Sequence, residues 1–185
     1  QKLNWKTGIA KIKHRVGRLY WRLENFEEAF KNHTEALELF RQTGDKKAEG
    51  IVLIEIGQDY LDNGKIAEAK TALQKALQFN RATGNEANIA RLYDILCYLY
   101  ESQGDFAEAQ KIACDYLKLS EKLGNKSEIA HSAHMLGCNY QVLGNNTEAL
   151  KYFFKGLLVA EDKIDKMQMN VSIGEVYLAQ KKFPE

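Results

Sequence analysis

The feature that most constrains this chain is a forty-residue beat. Tyr20, Tyr60, Tyr100 and Tyr140 stand 40 residues apart, and Tyr177 follows after 37. Three residues before each tyrosine lies a small residue: Gly17, Gly57, Cys97, Gly137 and Gly174. An aliphatic side chain comes just before that, at Val16, Ile56, Leu96, Leu136 and Ile173. Nine residues past the tyrosine comes alanine, at Ala29, Ala69, Ala109 and Ala149, and eight further on leucine, at Leu37, Leu77, Leu117 and Leu157. A period of this length marks units that cannot bury their apolar faces alone and must stack.

Each recurring residue has a physical task. The small residue lets a neighbouring helix approach, while the aliphatic and the tyrosine, four apart, share one helical face. The alanine suits a tight crossing of the second helix on the first, and the leucine extends the buried stripe. Pro184 is the one proline in 185 residues, and long helices tolerate interior proline badly. The fold class is therefore all-α. Gly64, Gly104 and Gly144 suit the left-handed position that ends a helix. Asp105 with Glu108 and Asn145 with Glu148 read as capping boxes. Gly44-Asp45, Gly84-Asn85 and Gly124-Asn125 repeat this stop and restart between units. The first unit has Glu24-Asn25 instead, with asparagine expected to take the left-handed turn. The spacing predicts first helices near 3–23, 46–62, 86–102, 126–142 and 166–180, and second helices near 26–42, 66–82, 106–122 and 146–162. The units become 3–43, 44–83, 84–123, 124–162 and a truncated 163–185, forming a single array. At Phe183-Pro184-Glu185 the fifth unit's second helix should begin.

Composition excludes several classes. Lys+Arg is 26 against Asp+Glu 25, so a direct nucleic-acid binder, which needs a basic excess, is not expected. No apolar run approaches the roughly 18–20 residues of a membrane span, so no insertion is expected within the chain. Cys97, Cys114 and Cys138 are odd in number and form no CxxC pair, which excludes a disulfide framework or metal finger. Free thiols favour a reducing compartment such as the cytoplasm, though the periplasm can also hold them. The sequence starts at Gln1 rather than Met and reads as a piece of something longer.

Chemistry is sparse. No phosphate-loop, dinucleotide, nucleophile-elbow or HExxH string occurs. The acidic residues sit at solvent-facing helical spacings, so the chain is not expected to be an enzyme or to carry a cofactor. His131, His134 and Cys138 fall at i, i+3 and i+7, but on one straight helix they spread over about 10 Å. One ion could not easily reach all three, and no metal site is expected. Of the N-x-[ST] strings, which include Asn32, Asn145 and Asn170, Asn145 is better explained as a helix cap and Asn170 as a helical residue.

The motif Val16-Gly17-Arg18-Leu19-Tyr20 and its counterparts at 56–60, 96–100, 136–140 and 173–177 resemble the L-G-x-x-Y segment of the tetratricopeptide repeat (TPR) family. The family's A-x-x-x-F segment is kept as Ala149 and Phe153, and loosely as Ala69 and Leu73. The common period is about 34, against 40 here, so both helices of each unit should be about a turn longer. Units of this length resemble those of bacterial signalling proteins and of Pins-type adaptors. The resemblance implies a right-handed α-α superhelix, a solenoid of about 4.5 helix-turn-helix repeats, whose first helices line a concave groove.

Carried over from the family, the groove positions are His14, Arg18 and Trp21 in the first unit and Ile54, Gln58 and Leu61 in the second. The third gives Asp94, Tyr98 and Glu101, and the fourth His134, Cys138 and Gln141. One turn back stand Lys11, Ile51, Arg91 and His131. Trp21 and Tyr98 suit partner anchors, although Trp21 could equally cap the first unit's core. The implied function is a non-catalytic interaction module that binds a protein or peptide, probing it with a groove basic at one end. The alternative is a sensor or dimerisation segment of a bacterial histidine kinase, nucleotide cyclase or transcription regulator. An apolar C-terminal end would then be covered by a following helix or by a second copy in a homodimer.

Overall fold

A computed structural model of the chain describes residues 2–180, with side chains from Trp5 onward. The described residues form nine α-helices and no strand: α1 (Lys2–Arg22), α2 (Phe26–Thr43), α3 (Lys46–Asp62), α4 (Ile66–Thr83), α5 (Glu86–Ser102), α6 (Phe106–Leu123), α7 (Lys126–Val142), α8 (Asn146–Val159) and α9 (Lys163–Ala179). The all-α class and its succession of helix pairs are those the repeat predicts. The expectation for Phe183-Pro184-Glu185 lies outside the described residues.

Packing divides the chain into two compact units, residues 1–92 and 93–185, with the division inside α5. In the first unit α1 packs on α2, α2 on α3 and α3 on α4. Its core joins Ala36, Leu37 and Phe40 of α2 to Val52 and Ile56 of α3. In the second unit α6 packs on α7, α7 on α8, and α9 on both α7 and α8. Phe153, Met169, Ile173 and Val176 form the core there.

One contact recurs where the second helix of a pair meets the small residue of the first. A Cβ on Gly57 would stand 2.5 Å from Leu73 Cδ2, and a Cβ on Gly137 2.5 Å from Phe153 Cε1. A Cβ on Gly17 would run into the ring of His33. His33, Leu73, Ala113 and Phe153 share one register of the repeat. Where the small residue is the larger Cys97, that register holds the smaller Ala113, and both are fully buried.

The turns inside the pairs follow one scheme. Gly64, Gly104 and Gly144 are left-handed, and the next amide donates to the tyrosine carbonyl five residues back, as Asp105 does to Tyr100 (2.9 Å) and Asn145 to Tyr140 (2.8 Å). In the first pair the left-handed residue is Glu24, with φ 58°, and not Asn25. Asn25 is instead the N-cap, accepting from the Glu28 amide. Asp105 and Asn145 likewise accept from the amides of Glu108 and Glu148. The reciprocal half of the expected capping box is replaced. The cap amides already donate to the tyrosine carbonyls, and the Glu108 and Glu148 carboxylates pair with Lys111 and Lys151.

At the last connection α8 stops earlier, and α9 starts earlier, than the spacing predicts. Here α8 has 14 residues where α2, α4 and α6 have 18, and Ala160 turns extended at ψ 127°. Asp162 then caps α9 through the Ile164 amide at 2.6 Å. The four residues missing from α8, less one added to the connection, account for the shortened spacing of 37 before Tyr177.

A side chain in the left-handed region costs roughly 1–2 kcal/mol, from which the greater unfolded freedom of glycine is subtracted. Glu24→Gly is therefore expected to stabilise the fold by about 0.5–1 kcal/mol, read as a higher Tm. Gly64→Ala, placed at φ 72°, should lower it.

Candidate functional site

The first pair of helices and α3 enclose a cleft of about 420 Å³ in the first unit. Its walls bring together His14, Arg18 and Trp21 of α1, Gln58 of α3 and Arg91 of α5, with Ile51 beside them. These are groove positions implied by the resemblance. Arg91 donates to Gln58 Oε1 at 2.5 Å, so the two lie side by side. Trp21 is 41% exposed and its indole N–H donates to Asp62 Oδ2 at 2.6 Å. It lies on the rim of the cleft and does not cap the core.

Other expected positions lie elsewhere. Ile54 has no exposed surface and cannot touch a partner. It belongs to α3, an inner helix packed on both α2 and α4 that buries every residue from Ile54 to Gly57. Lys11 is exposed on a separate hollow with Gly8, Ile12 and Arg15, and Leu61 is half-buried outside the cleft. In the second unit Tyr98 is 65% exposed. Asp94 bonds His131 at 2.8 Å, Glu101 accepts from Asn139 at 2.7 Å, and Gln141 is half-buried. His134 bonds Ser172 at 3.0 Å and lies 3.7 Å from the Cys138 sulfur. The His131, His134 and Cys138 stripe does not converge. His131 turns to Asp94, while His134 and Cys138 stay side by side, and burial pushes the Cys138 thiol up to about 11.

The floor of the cleft holds residues that reading the sequence missed. His33, Glu55 and Asp59 are buried there, so the expectation that acidic residues lie on solvated faces fails for Glu55 and Asp59. His33 Nδ1 bonds Asp59 Oδ2 at 2.6 Å, and His14 Nε2 bonds Glu55 Oε2 at 2.5 Å. Arg18 Nε stands 3.9 Å from the other Glu55 oxygen. Burial resists ionisation of Glu55, but the His14 hydrogen bond and the His14, His33 and Arg91 charges outweigh it, holding the carboxyl below its ordinary value. For Asp59 burial wins over the His33 bond, and its pKa is raised. The signal for this network was present in the repeat: His33 occupies the register that holds Leu73, Ala113 and Phe153 elsewhere. Glu49 is also buried, between Arg41 at 3.1 Å and Lys46 at 2.8 Å.

Residues 8–82 match the family model of the tetratricopeptide repeat. That segment carries tetratricopeptide repeats. No curated protein matches the sequence. Among solved structures, the apo form of RapI is similar at a TM-score of 0.85 and 18% identity, over 93% of this chain and 49% of that one. A signal transduction ATPase with numerous domains and a tetratricopeptide repeat sensor, from Pyrococcus horikoshii, gives 0.81 at 19%, over 94% and 28%. A Rap protein complexed with Competence and Sporulation Factor gives 0.75 at 16%, over 98% and 54%. The chain spans about half the length of the two Rap proteins and less than a third of the ATPase. At these identities the likeness is one of fold.

The pair in the second unit has a definite pH signature. The Asp94 hydrogen bond raises the His131 pKa above 6.5 against the opposing effect of burial, and Asp94, Asp165 and Glu101 charges add to it. The stabilisation is full below the unfolded pKa and is lost as pH rises through the folded one. Asp94→Asn should lower the His131 midpoint in an NMR titration, leaving less stability below pH 6.5 relative to alkaline pH.

Proposed function

We propose that the chain is a non-catalytic protein-interaction module and that the cleft of its first unit takes a peptide segment bearing acidic side chains. The observation that carries this reading is the gathering of Arg18, Arg22, Arg91 and Trp21 around one 420 Å³ opening. Arginine offers a planar fork of donors suited to carboxylates, and exposed tryptophan supplies apolar contact area at low entropic cost. Arg91 is engaged by the neutral Gln58, a partner that a carboxylate would readily outcompete. The same fold is found in a Rap protein complexed with Competence and Sporulation Factor, which supports an interaction role without naming the partner here.

Selection from a random peptide library tests the reading. Sequences with acidic residues beside an aromatic or aliphatic anchor should be enriched, with binding that weakens as salt rises. Arg18→Ala with Arg91→Ala should reduce affinity at least about tenfold while leaving helicity unchanged, given what a charge-assisted bond contributes. Binding that survives the double variant would move the site to the apolar hollow lined by Leu37, Leu53, Ile56 and Tyr60.

A second reading, self-association, draws on α9. Ile164, Met167, Val171 and Leu178 are exposed and fall on one stripe of that helix. A second copy of the chain covering it would make the array a dimerisation or sensor segment. Light scattering over rising concentration should then show a dimer that Val171→Asp dissociates. A monomer throughout would rule this reading out.

A further inference from the structure

We propose that His14, His33 and Glu55 form a binding site for a divalent transition-metal ion, with zinc the best match. The three come from α1, α2 and α3, and one ligand atom from each lies within 4.8 Å of the others. Glu55 Oε2 is shared: it stands 2.5 Å from His14 Nε2 and 3.3 Å from His33 Nε2. Tetrahedral zinc with bonds of about 2.0–2.2 Å holds its ligand atoms roughly 3.3–3.6 Å apart. The His33–Glu55 distance already fits. Half-buried His14 would swing by about 1 Å, away from Glu55 and toward His33, which closes the longest separation of 4.8 Å toward the same spacing.

The state of His33 gives the second, independent sign. The residue is 1% exposed, and its Nε2 has no hydrogen-bond partner although it faces the Glu55 carboxylate. Its Nδ1 is held by Asp59 at 2.6 Å. With Nδ1 donating to Asp59, Nε2 is left with an unshared lone pair, and a carboxylate oxygen stands 3.3 Å from it but off its axis, with no donor between the two acceptors. A cation in that gap satisfies both. A carboxylate behind the non-ligating nitrogen is also the arrangement that fixes the tautomer of a metal-bound imidazole. Two imidazoles and a carboxylate form a donor set of catalytic and open zinc sites. All three groups line the cleft, which leaves the fourth coordination position facing it.

Charge does not forbid the ion. Arg18 and Arg91 are solvent-exposed, and Arg18 approaches Glu55 through Oε1, the oxygen the ion would not use. Their fields are screened by water and salt, whereas Glu55 and Asp59 lie buried beside the ion. Bound metal would tie three helices together and stabilise the folded state by mass action. It would occupy the floor of the cleft while a peptide engages the arginines of the rim, so the site stands whether or not the peptide reading does.

The competing explanation is a proton on His33 Nε2, bridging Glu55. The protein is stripped with a chelator and titrated with Zn²⁺ against a chromophoric competitor, and with Co²⁺ for the visible bands of a tetrahedral ion. One equivalent should bind and raise Tm. In the wild-type protein, imidazole nitrogen resonances of His14 and His33 should shift, and those of His131 and His134 should not. His14→Ala should weaken binding about 100-fold or more, and Asp59→Asn, behind the site, about 10–100-fold. His131→Ala with His134→Ala should leave binding intact. No stoichiometric binding overturns the site in favour of the shared proton. Shifts confined to His131 and His134 overturn it in favour of adventitious surface binding. Because the resonance readout uses the unaltered chain, it decides even if a variant fails to fold.

Discussion

The contact between the small residue of each first helix and one side chain of the second sets the distance at which a pair closes. Gly57 admits Leu73, Gly137 admits Phe153, and the bulkier Cys97 shares its register with the smaller Ala113. A larger residue on one side goes with a smaller one on the other, because interiors are packed to crystal-like density and neither a void nor an overlap is cheap. The turns are set locally, since each left-handed residue lets the next amide reach the tyrosine carbonyl five residues back, and they deliver the second helix to the first so that this contact can close.

In the first pair the same register puts an imidazole, His33, into the place of a hydrocarbon. A polar ring buried there without partners would cost about 1–3 kcal/mol per unsatisfied group. Asp59 supplies one partner and Glu55 approaches the other nitrogen, but each brings a buried charge of its own. Their desolvation is eased from outside by His14 and Arg18. The polar floor of the cleft is thus a chain of consequences from one substitution in an otherwise apolar register. A plain hydrophobic at residue 33 would have removed the need for every member of it. That the chain instead keeps four interlocking polar side chains in a stability-neutral or costly arrangement is the physical reason to assign them work.

The helices were legible because their signals are redundant: spacing, left-handed glycines and caps all point to the same boundaries. The misses came where one signal acted alone. Asn25 was expected to be left-handed by residue type, yet as the N-cap it must be non-helical with negative φ, so the strain passed to Glu24. The early end of α8 follows from an extended Ala160 that no residue type announces. Ile54 was carried over by position, and position alone cannot tell that an inner helix is covered on more than one side.

The floor of the cleft was hidden for a different reason. Helical periodicity assigns Glu55 and Asp59 a face, but burial depends on which second helix lies over it, and that involves residues 22 and 26 positions away in the sequence from His33. Ligand spacing within one helix draws attention to His131, His134 and Cys138, of which the structure turns His131 away to Asp94 and leaves only His134 beside Cys138. A convergent set in a repeat protein is built across helices, since atoms on one helix spread along its axis while atoms on three packed helices meet at their common seam. His33 was the readable clue, a titratable ring in a register otherwise filled by Leu73, Ala113 and Phe153. In such arrays, the residue that breaks an apolar register deserves the same scrutiny as a motif, because the close approach that excludes water there is what gives polar groups their strength.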